Sequence, residues 1–181
     1  MKATSTNIPG VLTLSPDIFE DKRGFFFESF NQRVFQEATG LDVNFVQDNH
    51  SLSNKGVLRG LHYQLPPKSQ GKLVRVISGT IFDVAVDIRR FSPTFGKWFG
   101  IELSADNKLQ LWLPPGLAHG FYALSESVEV VYKATNYYSP EYERSIKWDD
   151  SMLAIKWPNR APIVSTKDAT GDDFSHAEMF D

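Results

Sequence analysis

The stretch Gly56-Val57-Leu58-Arg59-Gly60-Leu61-His62-Tyr63-Gln64 decides how this chain is read. In a β-strand successive side chains point to opposite faces, so Leu58, Gly60, His62 and Gln64 are expected on one face and Arg59, Leu61 and Tyr63 on the other. A barrel strand has one face inside. With His62 on that face, an imidazole sits among apolar walls, where desolvation and a neighbouring carboxylate set its basicity. The ring is then either a proton-transfer group or a core histidine hydrogen-bonded to a backbone carbonyl. Its surroundings in the chain have to choose between the two.

Downstream, Leu65 to Gly71 reads as a loop and Lys72 to Ile77 as a strand. Ser78-Gly79 turns into a further strand, Thr80 to Ile88, which predicts a hairpin of these two. Asp83 and Asp87 share one face of the second strand, with Ala85 between them. Further short strands follow over Trp98–Leu103, Leu109–Leu113, Ala118–Leu124, the β-branched Val128–Ala134, and Tyr142–Trp148. Ser92-Pro93, Ala105-Asp106-Asn107 and Pro114-Pro115-Gly116 punctuate them.

Upstream, Val11–Leu14 and the aromatic run Phe25–Phe30 read as strands on either side of a Pro16-Asp17 break. Asn31 to Thr39 is a helix candidate, with Asn31 as cap, Val34, Phe35 and Ala38 at helical spacing, and Gly40 as stop. Val43 to Ser51 runs from apolar to polar. The residues from Ser165 onward lack periodicity and read as an extended tail. Many short strands between Gly, Pro and Asn turns predict an all-β jelly-roll barrel or sandwich with a few short peripheral helices. The 181 residues are the size of one domain, so residues 1–181 are expected to form a single unit.

Composition narrows the function. A net charge of −3 and 23% charged residues speak against a nucleic-acid partner. The chain has no cysteine, which excludes disulfides and thiolate metal ligands. No apolar run reaches the roughly 18 residues of a membrane span, and the segment from Met1 to Gly10 lacks the apolar core of a signal peptide, so a cytoplasmic protein is expected. Aromatic residues at 13% suit a dense core or a pocket that stacks on flat rings.

The spacing of Gly56, His62 and Gly79, together with Pro114-x-Gly116-x-x-His119, resembles the two signatures of the cupin superfamily, small jelly rolls that often bind a divalent metal. Gln64 stands where the first signature has its second histidine, and Lys72 where it has a glutamate. Two histidines remain of that ligand set, short of the three protein ligands of a catalytic site, and a lysine repels a cation. No metal and no cofactor are expected; His50, Asp83 and Asp87 are the remaining donors a motif would miss.

An imidazole, an ammonium and a phenol inside a barrel are the parts for moving a proton next to a carbonyl. A base removes the proton, a fixed cation stabilises the enolate oxygen, and an acid returns a proton. His62, Lys72 and Tyr132 fit these roles in that order. Taken one at a time, Lys72 also fits a solvated strand start and Tyr132 a barrel-wall aromatic.

Six ordered blocks carry a more specific resemblance. They are Asp21-x-Arg23-Gly24-Phe25-Phe26-x-Glu28-Ser29-Phe30, Gln47-Asp48-Asn49-His50-Ser51, Leu58 to Gln64, Gln70 to Val76, Pro115-Gly116-x-Ala118-His119-Gly120-Phe121 and Tyr132-Lys133-x-Thr135-x-x-Tyr138. Together they resemble the dTDP-4-dehydrorhamnose 3,5-epimerase family from about residue 9 to residue 168. The resemblance implies dTDP-4-dehydro-6-deoxyglucose as substrate and inversion at both carbons flanking its ketone. It implies His62 as base, paired with Asp168, whose negative charge favours the imidazolium. Tyr132 would be the acid on the opposite face of the sugar and Lys72 the group holding the enolate oxygen. Arg23, Arg59 and Lys167 would grip the diphosphate, where guanidinium forks suit paired anionic oxygens. Glu28, Gln47, Asp48, Asn49, His119 and Glu143 would complete the nucleotide and sugar contacts, with Tyr138 and Phe26 on the thymine. It also implies a homodimer with exchanged strands, in which the segment carrying Arg23 and Glu28 serves the neighbouring subunit.

Overall fold

The computed structural model describes residues 1–181. The chain begins with β1 (Lys2–Ser5) and β2 (Leu12–Ser15), followed by the short pair β3 (Phe19–Asp21) and β4 (Gly24–Phe26) and helix α1 (Gln32–Thr39). The central strands are β5 (Gln47–Asn54), β6 (Leu58–Gln64), β7 (Lys72–Ser78) and β8 (Thr80–Asp87). They are followed by β9 (Trp98–Ser104), β10 (Gln110–Leu113), β11 (Leu117–Ala123) and β12 (Ser127–Ala134). A 3₁₀ turn at Pro140–Tyr142 leads into β13 (Glu143–Ser145), and α2 (Thr166–Ala169) lies near the end. No helix is long and apolar enough to cross a membrane.

The strands form two antiparallel sheets, ordered β1-β2-β10-β7-β12-β5 and β13-β6-β11-β8-β9, in a cupin-like jelly roll; β3 and β4 pair only with each other. Alternation along the strands sends Val74, Val76, Val128 and Val130 from the first sheet against Ile81, Ala85, Leu103 and Phe121 from the second. The second sheet's outer face carries Leu61, Tyr63, Val84 and Val86, covered by Leu153, Phe174 and Ala177 of the C-terminal segment. On the outer face of the first sheet, Leu14, Leu73 and Trp112 receive Phe35 from α1. Edge-on contacts of Phe35 with Trp112 and Phe45, at centroid separations of 5.6 and 5.5 Å, seat that helix. The helix starts and stops as its sequence predicts: Asn31 accepts from the backbone N–H groups of Arg33 and Val34, and Gly40 closes it in the left-handed region.

The expected hairpin of the strands flanking Ser78-Gly79 does not form. β7 pairs with β10 and β12 in the first sheet, whereas β8 pairs with β11 and β9 in the second. The turn residues reverse the chain as predicted, but the link passes from the first sheet to the second, where β8 pairs with β9 and β11 instead of with β7.

The expected alternation of β6 also fails, at one point. His62 stands opposite His119 on β11 and Arg59 opposite Phe121, so three steps on β6 match two on β11. This irregularity around Gly60-Leu61 puts Arg59 on the same inward face as His62, since Phe121 belongs to the core between the sheets. Gly60 sits at φ +128°, and a Cβ there would lie 2.5 Å from the Cα of Gly120 and 2.8 Å from the carbonyl oxygen of His119.

Three further segments depart from expectation. The aromatic run is strand only over Gly24–Phe26. Val43 and Phe45 pack on the α1 cluster, and the strand begins at Gln47. Within the C-terminal stretch from Ser165, expected to be extended, Thr166–Ala169 form the short helix α2, capped by Ser165, whose hydroxyl accepts from the Asp168 amide.

Candidate active site

β6 and β11 place two histidines side by side, His62 opposite His119, and each carries its own carboxylate. His62 Nε2 lies 2.5 Å from Asp168 Oδ1, the aspartate being delivered by α2. Burial of Asp168 works against its ionisation. It is outweighed by the hydrogen bond and charge of His62, the hydroxyl of Ser165 and the backbone N–H of Gly60, so the carboxyl is held below its ordinary range. The bulge therefore serves the site twice, turning Arg59 inward and aiming an amide at Asp168. His119 Nε2 is 3.0 Å from both oxygens of the fully buried Asp83 on β8.

Lys72, at the start of β7, brings Nζ 3.5 Å from the carbonyl oxygen of His62 and 5.8 Å from the centroid of the Tyr132 ring. Burial lowers its pKa to about 8, against the charges of Asp83 and Glu143 and together with that of Lys167. Tyr132, on the inward face of β12, is pushed above the ordinary phenol value by burial and by Glu143, with Arg59 pulling the other way. Lys72 thus lies between the backbone of His62 and the ring of Tyr132.

Around them stand most of the other residues the sequence singled out. Arg59 donates from Nε to Ser53 Oγ at 3.0 Å and from Nη2 to the Leu52 carbonyl at 3.2 Å. Glu143 on β13 meets Lys167 Nζ at 2.5 Å and accepts from the Tyr138 hydroxyl at 2.7 Å. Burial of Glu143 opposes ionisation, yet Lys167, Tyr138 and His62 together hold its pKa down. Gln47 and Asn49 lie on the inward face of β5, bonded to each other at 2.9 Å.

Four residues are not brought here. Asp48 falls between Gln47 and Asn49, so it points outward and binds Lys133 at 3.0 Å. Arg23, Phe26 and Glu28 belong to the β3–β4 arm and the segment after it: Arg23 pairs with Asp21 at 2.5 Å, Phe26 is 68% exposed, and Glu28 accepts from Asn31. Sequence reading missed the partnership of Asp83 with His119, having held Asp83 only as a metal donor. The signal was its two-residue spacing to Ala85 and Asp87 on an inward face. It also missed Ser53 as the support of Arg59, for which no signal exists, since the bulge that joins them is invisible in the pattern.

An antiparallel barrel that carries an imidazole–carboxylate pair, an ammonium and a phenol on its strands has the groups an acid–base isomerase on a cupin-like scaffold needs. The sequence profile described as dTDP-4-dehydrorhamnose 3,5-epimerase matches residues 5–176, and the chain belongs to this family. It is 59% identical over 180 residues to the dTDP-4-dehydrorhamnose 3,5-epimerase of Shigella flexneri, covering 99% of each chain. Against the enzyme of that name from Pseudomonas aeruginosa it is 58% identical over 181 residues, again covering 99% of each. The crystal structure of the dTDP-6-deoxy-D-glucose-3,5-epimerase of Legionella pneumophila, in complex with dTDP-4-keto-L-rhamnose, superimposes with a TM-score of 0.94 at 49% identity, over 98% of this chain and 94% of that one.

Proposed function

We propose that this epimerase inverts both carbons flanking the ketone of dTDP-4-dehydro-6-deoxyglucose, giving dTDP-4-dehydro-L-rhamnose for dTDP-L-rhamnose biosynthesis, with His62 as base and Tyr132 as acid. His62 takes the proton from carbon, and the electron pair passes to the carbonyl oxygen as an enolate. Lys72 holds that oxygen, and Tyr132 delivers a proton to the opposite face of the ring, since return from the same face would restore the starting configuration. Asp168, kept ionised, steadies the imidazolium, and with Nε2–H donated to it, Nδ1 is the basic nitrogen. The buried phenol stays protonated at neutral pH and so has a proton to give. No step calls for a metal or an organic cofactor.

Arg59 and Lys167 are assigned to the diphosphate, Tyr138 to the thymine, and His119, Asn49 and Glu143 to the sugar and nucleotide. Arg23, Phe26 and Glu28 reach a site only from a neighbouring subunit in this proposal, which is supported by an arm whose Phe19, Phe25 and Phe26 are 66, 58 and 68% exposed. The working unit is then a homodimer, each 1–181 chain a single domain, in the cytoplasm.

The observation that carries the reading is the His62–Asp168 pair in one space with Lys72 and Tyr132. Incubation with substrate in deuterated water tests it: deuterium enters at both carbons beside the ketone, and His62→Ala loses at least about 100-fold in the exchange rate. Label at one carbon alone means a single-centre epimerase; full exchange by the His62→Ala variant would rule His62 out as the base.

A further inference from the structure

Gln47 and Asn49 are successive inward residues of β5, and their side-chain amides are locked in one sense. Gln47 Oε1 accepts from the backbone N–H of Tyr138 at 2.9 Å. A backbone nitrogen can only donate, so this contact fixes which end of the Gln47 amide is oxygen. Gln47 Nε2 is therefore the donor to Asn49 Oδ1, at 2.9 Å, which in turn fixes Asn49. What remains is Asn49 Nδ2, buried and without a partner, on the residue directly opposite Tyr132 in the β5–β12 ladder. Buried donors left unpaired are rare in folded proteins, and one beside the proposed acid is placed to receive an oxygen from a ligand. The other end of the relay is the Tyr138 loop, whose hydroxyl holds Glu143 and, through it, Lys167.

We propose that Gln47 is a positioning residue: its amide holds Asn49 as a hydrogen-bond donor toward an acceptor oxygen of the sugar next to Tyr132, and ties that donor to the loop carrying Tyr138. This rests on the site reading given above and refines it, since Gln47 then serves the sugar through Asn49. Both polar atoms of Gln47 are already engaged within the protein.

A double-mutant cycle tests it, read by deuterium exchange into the substrate with kcat and KM resolved. Gln47→Ala lowers kcat/KM about 10-fold in the wild-type background and by less than about 2-fold when Asn49 is already alanine, because the effect passes through Asn49. Gln47→Glu guards against misfolding as an explanation. It can still accept from the Tyr138 amide but cannot donate, so Asn49 turns its Nδ2 to the new carboxylate and offers Oδ1 to the sugar. Its thermal midpoint stays near that of the wild type while kcat falls. Equal losses in the two backgrounds, or a Gln47→Glu enzyme with wild-type kcat, overturns the proposal while leaving the His62 reading intact. Exchange that survives His62→Ala removes the site reading itself, and the relay with it.

Discussion

In the proposed role Lys72 must carry a positive charge to hold an enolate, yet it sits where charge is disfavoured. Burial brings its pKa to about 8, with Asp83 and Glu143 keeping it from falling further. Below that pH the ammonium is present; above it the group is neutral and the oxygen loses its cation. The kcat/KM profile, which reports the free enzyme, therefore falls on the alkaline side with a midpoint near 8. Lys72→Arg, which remains protonated, moves that limb to higher pH even where its geometry slows turnover. The same residue has the opposite sign for stability. Between about 8 and 10.5 the unfolded chain binds a proton that the folded one does not, so the Lys72 contribution to stability rises through this window, and below it the buried charge is a burden. Lys72→Met accordingly raises the melting temperature at pH 7 while abolishing exchange. A variant that melts lower would mean that the ammonium stabilises the fold.

At the scale of elements, strand β6 departs from its own periodicity and the site depends on the departure. Gly60→Ala puts a methyl group 2.5 Å from the Gly120 Cα at a φ of +128° that alanine avoids, and nothing beside it is a flexible side chain end. The cost expected is about 2–4 kcal/mol, with His62 and Arg59 displaced together. Thermal melts and exchange rates should fall in parallel; an enzyme that keeps both would show that the bulge is dispensable. This is also where legibility ended. Element existence could be read from alternation and turn residues, because those are local properties. The pairing of β7 with β10 and β12 could not, since a Ser-Gly turn states that the chain reverses and leaves open which sheet receives it. Of the proposed site, His62, Lys72 and Tyr132 could be put forward from side-chain chemistry on strand faces, with structural roles open for each taken singly. Asp168 came from resemblance alone, because a carboxylate 106 residues away on a one-turn helix leaves no periodic trace. Asp48 shows the converse: inside a block of site residues, simple alternation still sends it outward to Lys133.

On the scale of the whole molecule, the β3–β4 arm is what a single chain leaves unexplained. Its strands bond only to each other, its phenylalanines are more than half exposed, and Arg23 spends its guanidinium on the neighbouring Asp21. If the arm completes the site of a second subunit, two defective chains can repair one another. Arg23→Ala removes the diphosphate grip that a chain lends, and His62→Ala removes the base that it keeps. In a mixed dimer, the site holding intact His62 receives intact Arg23 from its neighbour, and the other site carries both defects. Random reassortment of equal amounts makes half the dimers mixed, each with one working site, so activity returns to about a quarter of the wild-type level from two inactive preparations. An arm that folds back on its own chain leaves every site in the mixture with one defect, and no activity returns. Refolding the two variants together and assaying deuterium exchange therefore separates the two arrangements.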